Sequence, residues 1–260
     1  RDSSTSRGLG DVYKRQFYNS ERLKYNQMNY NNDVELDNFC SQCLLVINAV
    51  GPSFKINDKI ALHALRNNCH YIDIGGYGIL RDLLKPYEKS IEAQKLCFII
   101  GVGWMPGISG VFSKTIIETH LNSPENTNFN IYYGAVDNWS YSSTYDLAAS
   151  SMGKTHSYVY SHGKEIQVSP FRYTHHKFFP FIGHKKICMP SFDEQLTQLA
   201  TSLKQIRKIS TFIMLNDYIS MGKFMFIKIF YKHNLNKATL MLQDDYPVSY
   251  THLTLPTKLE

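Results

Sequence analysis

Leu44-Leu45-Val46-Ile47-Asn48-Ala49-Val50-Gly51-Pro52 is a short apolar run that ends in a glycine–proline loop. Two further runs share its build. Tyr71-Ile72-Asp73-Ile74 runs into Gly75-Gly76, and Leu96-Cys97-Phe98-Ile99-Ile100 runs into Gly101-Val102-Gly103-Trp104-Met105-Pro106-Gly107. Helical patterns separate the three. Apolar runs this short, alternating with helices, read as buried strands of a parallel sheet. Parallel strands all end on the same edge, and open α/β sheets bind ligands outside that edge. Three glycine loops are therefore expected on one rim, where bare backbone can approach a ligand closely.

Working outward, residues 33–39 look like a short helix. The polar stretch 17–32 reads as an edge strand and a loop. Ile56, Ile60, Ala61, Ala64 and Leu65 recur at helical spacing and predict one amphipathic helix over 55–67. Residues 78–94 are helical in pattern, with Pro86 expected to break or kink them. A helix over 109–121 is stopped by Asn122-Ser123-Pro124. The character then changes. A strand is expected over 128–135, and a hairpin over 157–168 turning at Ser161-His162-Gly163-Lys164. Ser191-Phe192-Asp193-Glu194 has capping-box spacing and opens a helix carrying Leu196, Leu199, Ala200, Leu203 and Ile206. Residues 211–215 and 224–230 are apolar, and the second run fits strand or helix. The organisation is a partial doubly wound domain over 17–121, then an α+β domain with antiparallel strands over 122–246.

The two ends have a different origin in this reading. The last six codons of a back-translation of Ser6 to Gln16 are GAT GTG TAT AAG AGA CAG. The reverse complement, read in a shifted frame, encodes Val248-Ser249-Tyr250-Thr251-His252. Residues 1–16 and 247–260 thus read as translated adapter sequence and are set aside from the fold, with the expectation that they pack on nothing. The remainder is expected to be a piece of a longer protein.

Composition narrows the function. A net charge of +6 without a clustered Lys/Arg run gives little support for nucleic-acid binding. No apolar stretch reaches the roughly 18 residues of a membrane span. Five cysteines, an odd number, do not suggest a disulfide scaffold and fit a reducing cytoplasm. The pair Cys40-Ser41-Gln42-Cys43 precedes a strand instead of opening a helix after one, and it has no second pair, so it reads as core or loop. No metal site is expected. Adjacent His175-His176, within a basic stretch from Arg172 to Lys186, lacks helical ligand spacing and reads as solvated surface ahead of a carboxylate-binding role or a metal.

Asn48 can donate and accept at the end of a buried strand, with apolar Ala49 and Val50 beside it. This loop suits either nucleotide contact or a plain turn. Asp73 lies inside an apolar run, and burial obliges it to find donors, so a structural role is expected. The loop from Gly101 to Gly107 looks like a loose dinucleotide fingerprint, with Asp137 beyond the next strand as a ribose-binding acid. Trp104 and Met105 put bulk where backbone must approach, and Pro106 removes a donor. It reads better as a rim loop near a cofactor or substrate than as a pyrophosphate cradle.

The ordered set V-I-N-A-V-G-P, H-Y-I-D-I-G-G and G-V-G-W-M-P-G resembles the saccharopine dehydrogenase-like oxidoreductases. The resemblance covers 33–114 most closely. It implies an α/β protein with a partial Rossmann-like doubly wound parallel sheet followed by a smaller α+β domain. It implies NAD or NADP as cofactor, with Asn48, Ala49, Val50, Gly51 and Pro52 against it. Val102, Gly103, Trp104 and Met105 would line the cleft near the nicotinamide. It further implies hydride transfer, in several members at a carbon–nitrogen bond of an amino-acid adduct, a small-molecule substrate and a possible homodimer. The family's phosphate-holding glycine loop lies on a first βα unit that nothing in 17–43 matches. Tyr141, Asp137 and His175 are candidate proton donors only. The rival reading is a non-catalytic Rossmann-like protein that binds a ligand or partner.

Overall fold

The computed structural model describes residues 24, 26–76, 78–120, 128–134, 140–152, 157–162, 164–180, 182–191, 194–202, 206–215, 218–231 and 234–243. The adapter-like ends, Asp137 and the middle of the capping box lie outside the described residues.

The three apolar runs form strands β1 (Leu45–Asn48), β2 (His70–Asp73) and β3 (Phe98–Ile100). They pair in parallel in that order, with Asn48 beside Asp73 and Asp73 beside Ile100. The expected rim is therefore present. On one face Val46 and Tyr71 pack against α1 (Asp33–Cys40), α3 (Lys59–Arg66) and α4 (Gly78–Leu84), in a core that includes Leu36, Cys40, Ile60, Ala64, Cys69 and Leu80. Asn32 starts α1 by accepting the Val34 and Glu35 N–H groups.

The opposite face departs from expectation. Ile47, Ile72 and Ile99 lie side by side in register, yet Ile47 is 60% exposed and Ile99 47%. The apolar runs were expected to be covered on both faces, but among the described residues helices cover only one. No strand forms in the described part of 24–32.

The helix expected over 55–67 is two pieces, α2 (Ser53–Ile56) and α3. Asn57 separates them at φ 50°, ψ −130°, a conformation no helix accepts. Pro86 acts as expected. A 3₁₀ turn, Lys85–Tyr87, separates α4 from α5 (Glu88–Ala93).

Helix α6 (Ile108–His120) leads to a second sheet of six strands: β4 (Asn128–Tyr133), β5 (Ser157–Ser161), β6 (Lys164–Val168), β7 (His175–Phe179), β8 (His184–Ser191) and β9 (Lys208–Leu215). The expected β5–β6 hairpin is present. The sheet is mixed, because β4 runs parallel to β9 over six residue pairs while β5 and β8 run antiparallel to it. Helices α7 (Tyr141–Met152), α10 (Tyr218–Phe230) and α11 (Leu235–Gln243) cover one side of β8 and β9 through Ala148, Ile187, Met189, Leu215, Ile227, Ala238 and Leu242. The ambiguous run 224–230 is thus helical. Helices α6 and α9 (Glu194–Ser202) pack with β4 and β9 through Ile117, Leu199, Tyr133 and Ile209. The short α8 (Pro170–Tyr173) links β6 to β7.

Candidate functional site

The rim at the ends of β1, β2 and β3 is built on a buried polar cluster. Asn48 Nδ2 donates to Asp73 Oδ2 at 2.7 Å and to Tyr71 Oη at 3.1 Å. Tyr71 Oη donates to the same carboxylate oxygen at 2.5 Å, and Gly76 N–H donates to Asp73 Oδ1 at 2.5 Å. Asn48 Oδ1 accepts Val50 N–H at 3.0 Å. Asn48 and Asp73 are register partners on the covered face, so both side chains turn inward and shape the loops. Burial, then the hydrogen bond to Asp73, pushes the Tyr71 hydroxyl well above the ordinary phenol range. The expected structural role of Asp73 is what its contacts show. Asn48, which the resemblance sets against a cofactor, has its side chain fully engaged with protein.

The remaining rim residues divide. Ala49, Val50, Gly51, Val102 and Trp104 are exposed, and Ile74 is exposed at the end of the middle strand. Pro52 is buried, and Met105 packs toward Ile117 of α6 and Tyr133 of β4. Gly103 bridges Gly107, and a Cβ on Gly103 would lie 2.5 Å from the Ile74 carbonyl oxygen. Loop-to-loop packing therefore requires this glycine.

Two side chains of the second unit clamp these loops. Asp146 on α7 accepts Ser53 N–H at 2.9 Å and Phe54 N–H at 3.1 Å, at the start of α2. It is buried, and that burial raises its pKa against the lowering effect of those two hydrogen bonds. Gln195 on α9 accepts Gly107 N–H at 2.9 Å and donates to Gly107 O at 3.3 Å, while Ser109 Oγ donates to its carbonyl at 3.4 Å. Gly110 leaves the space that the Gln195 carboxamide fills, and a Cβ on Gly51 would lie 3.0 Å from Ser142 Cβ. Sequence reasoning missed both clamps, since their partners lie 93 and 88 residues away.

These clamps matter for cofactor fit. A dinucleotide pyrophosphate is held by free N–H groups at a helix N-terminus. Among the described residues, the N-termini of α2 and α6 on this rim already have Asp146 and Gln195 on them. The exposed apolar strip suits a flat ring, while the described residues offer no open diphosphate cradle. A cavity of about 10 Å³ below the rim, lined by Asn48, Asn57 and Asp73 among others, has room for a water and nothing larger.

Among the proton-donor candidates, Tyr141 Oη donates to Asn236 Oδ1 at 3.0 Å and accepts from Lys55 Nζ at 3.3 Å, beside the rim. His175 belongs to the second sheet, with Nε2 3.3 Å from Tyr132 Oη and its ring edge-on to Phe212. Cys40, Cys43, Cys69, Cys97 and Cys188 are all unpaired thiols. Cys40 is buried, and that burial raises its thiol to about 11, so it stays protonated in the core, while Cys43 is half-buried. No group of metal-ligating side chains occurs among the described residues. No helix of the described residues is long and apolar enough to cross a membrane.

No protein-family model and no curated protein matches the chain. Among solved structures it is similar to the apo form of a histidine-tagged saccharopine dehydrogenase (L-Glu forming) from Saccharomyces cerevisiae, at a TM-score of 0.56 and 15% identity. The match covers 76% of this chain and 47% of the yeast chain. At that identity the likeness is one of fold, and the chain spans about half the length of the structure it matches.

Proposed function

We propose that this chain is part of an NAD(P)-dependent oxidoreductase of the saccharopine dehydrogenase-like kind. One observation carries the reading: three glycine loops stand on one rim of a parallel sheet, exposing Ala49, Val50, Val102 and Trp104, in a chain similar in fold to part of a saccharopine dehydrogenase. A bound nicotinamide would donate hydride to, or accept it from, the carbon of a carbon–nitrogen bond in an amino-acid-derived substrate. The chain's own task is to offer an apolar strip against the ring and to hold the loops in place through Asp146 and Gln195. The parent protein is assigned to the reducing cytoplasm, where unpaired cysteines persist.

The rival reading is a Rossmann-like protein that binds a ligand without catalysis; the occupied N-termini of α2 and α6 fit both readings, since the oxidoreductase reading puts the diphosphate on another unit. The test extends the chain by whatever its gene encodes upstream of Phe17, where this reading expects a strand–glycine loop–helix unit. NADH and NADPH are titrated calorimetrically. Binding of either nucleotide at micromolar concentration supports the oxidoreductase. Failure of the completed protein to bind either one favours the rival.

A further inference from the structure

Lys55, Tyr141 and Asn236 come from three helices, α2, α7 and α11, and meet beside the loop that ends in Pro52. Lys55 Nζ donates to Tyr141 Oη at 3.3 Å and to Asn236 Oδ1 at 3.2 Å. The ammonium also lies 4.4 Å from the ring centre of Tyr145 and 5.2 Å from that of Tyr141. Every one of these neighbours is neutral. No carboxylate among the described residues pairs with Lys55, and Asp146, next to Tyr145 in the chain, has its oxygens on the Ser53 and Phe54 N–H groups. Aromatic faces and neutral oxygens orient an ammonium without neutralising it. Among the described residues, one Lys55 N–H has no hydrogen-bond acceptor, and the Asn236 amide nitrogen makes no hydrogen bond. The cluster faces solvent, and Ser142, adjacent to Tyr141, backs directly onto Gly51.

We propose that Lys55, Asn236 and Tyr141 form a carboxylate-binding site that seats an amino- or keto-acid substrate beside the rim. The ammonium and the amide N–H groups donate to the two carboxylate oxygens. The phenol, already hydrogen-bonded to both partners, fixes their spacing. Tyr145, buried beneath the ammonium, holds Lys55 in place through its ring face. The substrate class rests on the oxidoreductase reading, whereas carboxylate binding by the cluster does not.

The test is calorimetric titration of 2-oxoglutarate into the full chain, with sodium sulfate at equal ionic strength as the comparison. Wild type is expected to bind the dicarboxylate in preference to sulfate. Lys55→Met is expected to weaken binding about tenfold or more, the loss of a charge-assisted hydrogen bond. Lys55→Arg keeps the charge and is expected to stay within about threefold. Asn236→Asp is expected to abolish binding while leaving the melting temperature intact, because the new carboxylate occupies the ammonium itself. Retention in Lys55→Arg with loss in Lys55→Met separates the site from a folding defect. Absence of binding by wild type, equal competition by sulfate, or undiminished binding by Lys55→Met overturns the site. The nicotinamide titration is independent. Lys55-dependent 2-oxoglutarate binding without nucleotide binding by the completed protein leaves the site standing and fails the oxidoreductase; the converse fails the site alone.

Discussion

At the scale of single residues, the loop glycines separate two physical demands that sequence alone merges. Gly107 has φ +131°, and a Cβ there would run into the Gly103 backbone and lie 2.8 Å from Gly101 O. Gly183 has φ +79° with nothing within 4 Å of an added Cβ. Gly107→Ala is expected to cost about 3 kcal/mol or more, combining backbone strain with a backbone clash. Gly183→Ala is expected to cost about 1–2 kcal/mol, strain alone. Urea melts of both variants check the difference, and equal costs would refute the packing account. Asp146 yields a second expectation. Its folded pKa is raised above 3.8, first by burial. The native state therefore binds more protons than the unfolded chain between 3.8 and the raised value, and stability from this group falls as pH rises through that window. Asp146→Asn leaves one of two backbone N–H groups without an acceptor and is expected to cost about 1–2 kcal/mol at neutral pH. The deficit is expected to grow on acidification through the window, because only wild type gains there. A deficit that shrinks in acid would contradict the sign. Neither clamp was legible beforehand. Asp146 and Gln195 carry no local signature, since what they bind is backbone distant in sequence. Asp73 was legible because a carboxylate inside an apolar run must find donors.

Elements were legible where one period dominates. The three short apolar runs became parallel strands, and Pro86 broke its helix because a missing N–H acts whatever surrounds it. The break at Asn57 was not legible. Apolar spacing continues across it from Ile56 to Ile60, and no glycine marks the positive φ that Asn57 adopts after α2. Burial of both sheet faces was inferred from uniform apolarity, a pattern that records preference for cover without showing what supplies it. β1 therefore offers a direct comparison of its two faces. Val46 is 5% exposed and packs into the core, whereas its neighbour Ile47 is open. Val46→Ala is expected to cost about 2 kcal/mol. Ile47→Ala is expected to stay within about 0.5 kcal/mol. Matching losses in chemical denaturation would mean that something covers the Ile47 face in solution.

At the scale of the whole molecule, two sheets are held together at the rim by side chains on backbone. That arrangement stiffens the loops and also occupies them. Hydrogen bonds to a carboxylate at the start of α2 use the donors that a phosphate would need there. At the start of α6, Gly107 N–H goes to Gln195, while Ile108 and Ser109 N–H groups go to the Gly103 and Trp104 carbonyls. The apolar strip alone can bury one face of a nicotinamide ring, an area worth at most a few kcal/mol at about 25 cal/mol per Å². Immobilising the dinucleotide costs at least as much. The chain by itself is therefore expected to bind NADH and NADPH no more tightly than about 1 mM, a standard free energy near −4 kcal/mol. Saturation-transfer NMR and calorimetry on the unextended chain check this. Micromolar binding would mean that the diphosphate sits on described residues after all. The Gly101–Gly107 loop would then be the leading place for it, with Gln195 displaced from Gly107. In that case Gln195→Ala should tighten binding by uncovering the Gly107 N–H, whereas a phosphate site elsewhere would leave the affinity of that variant unchanged.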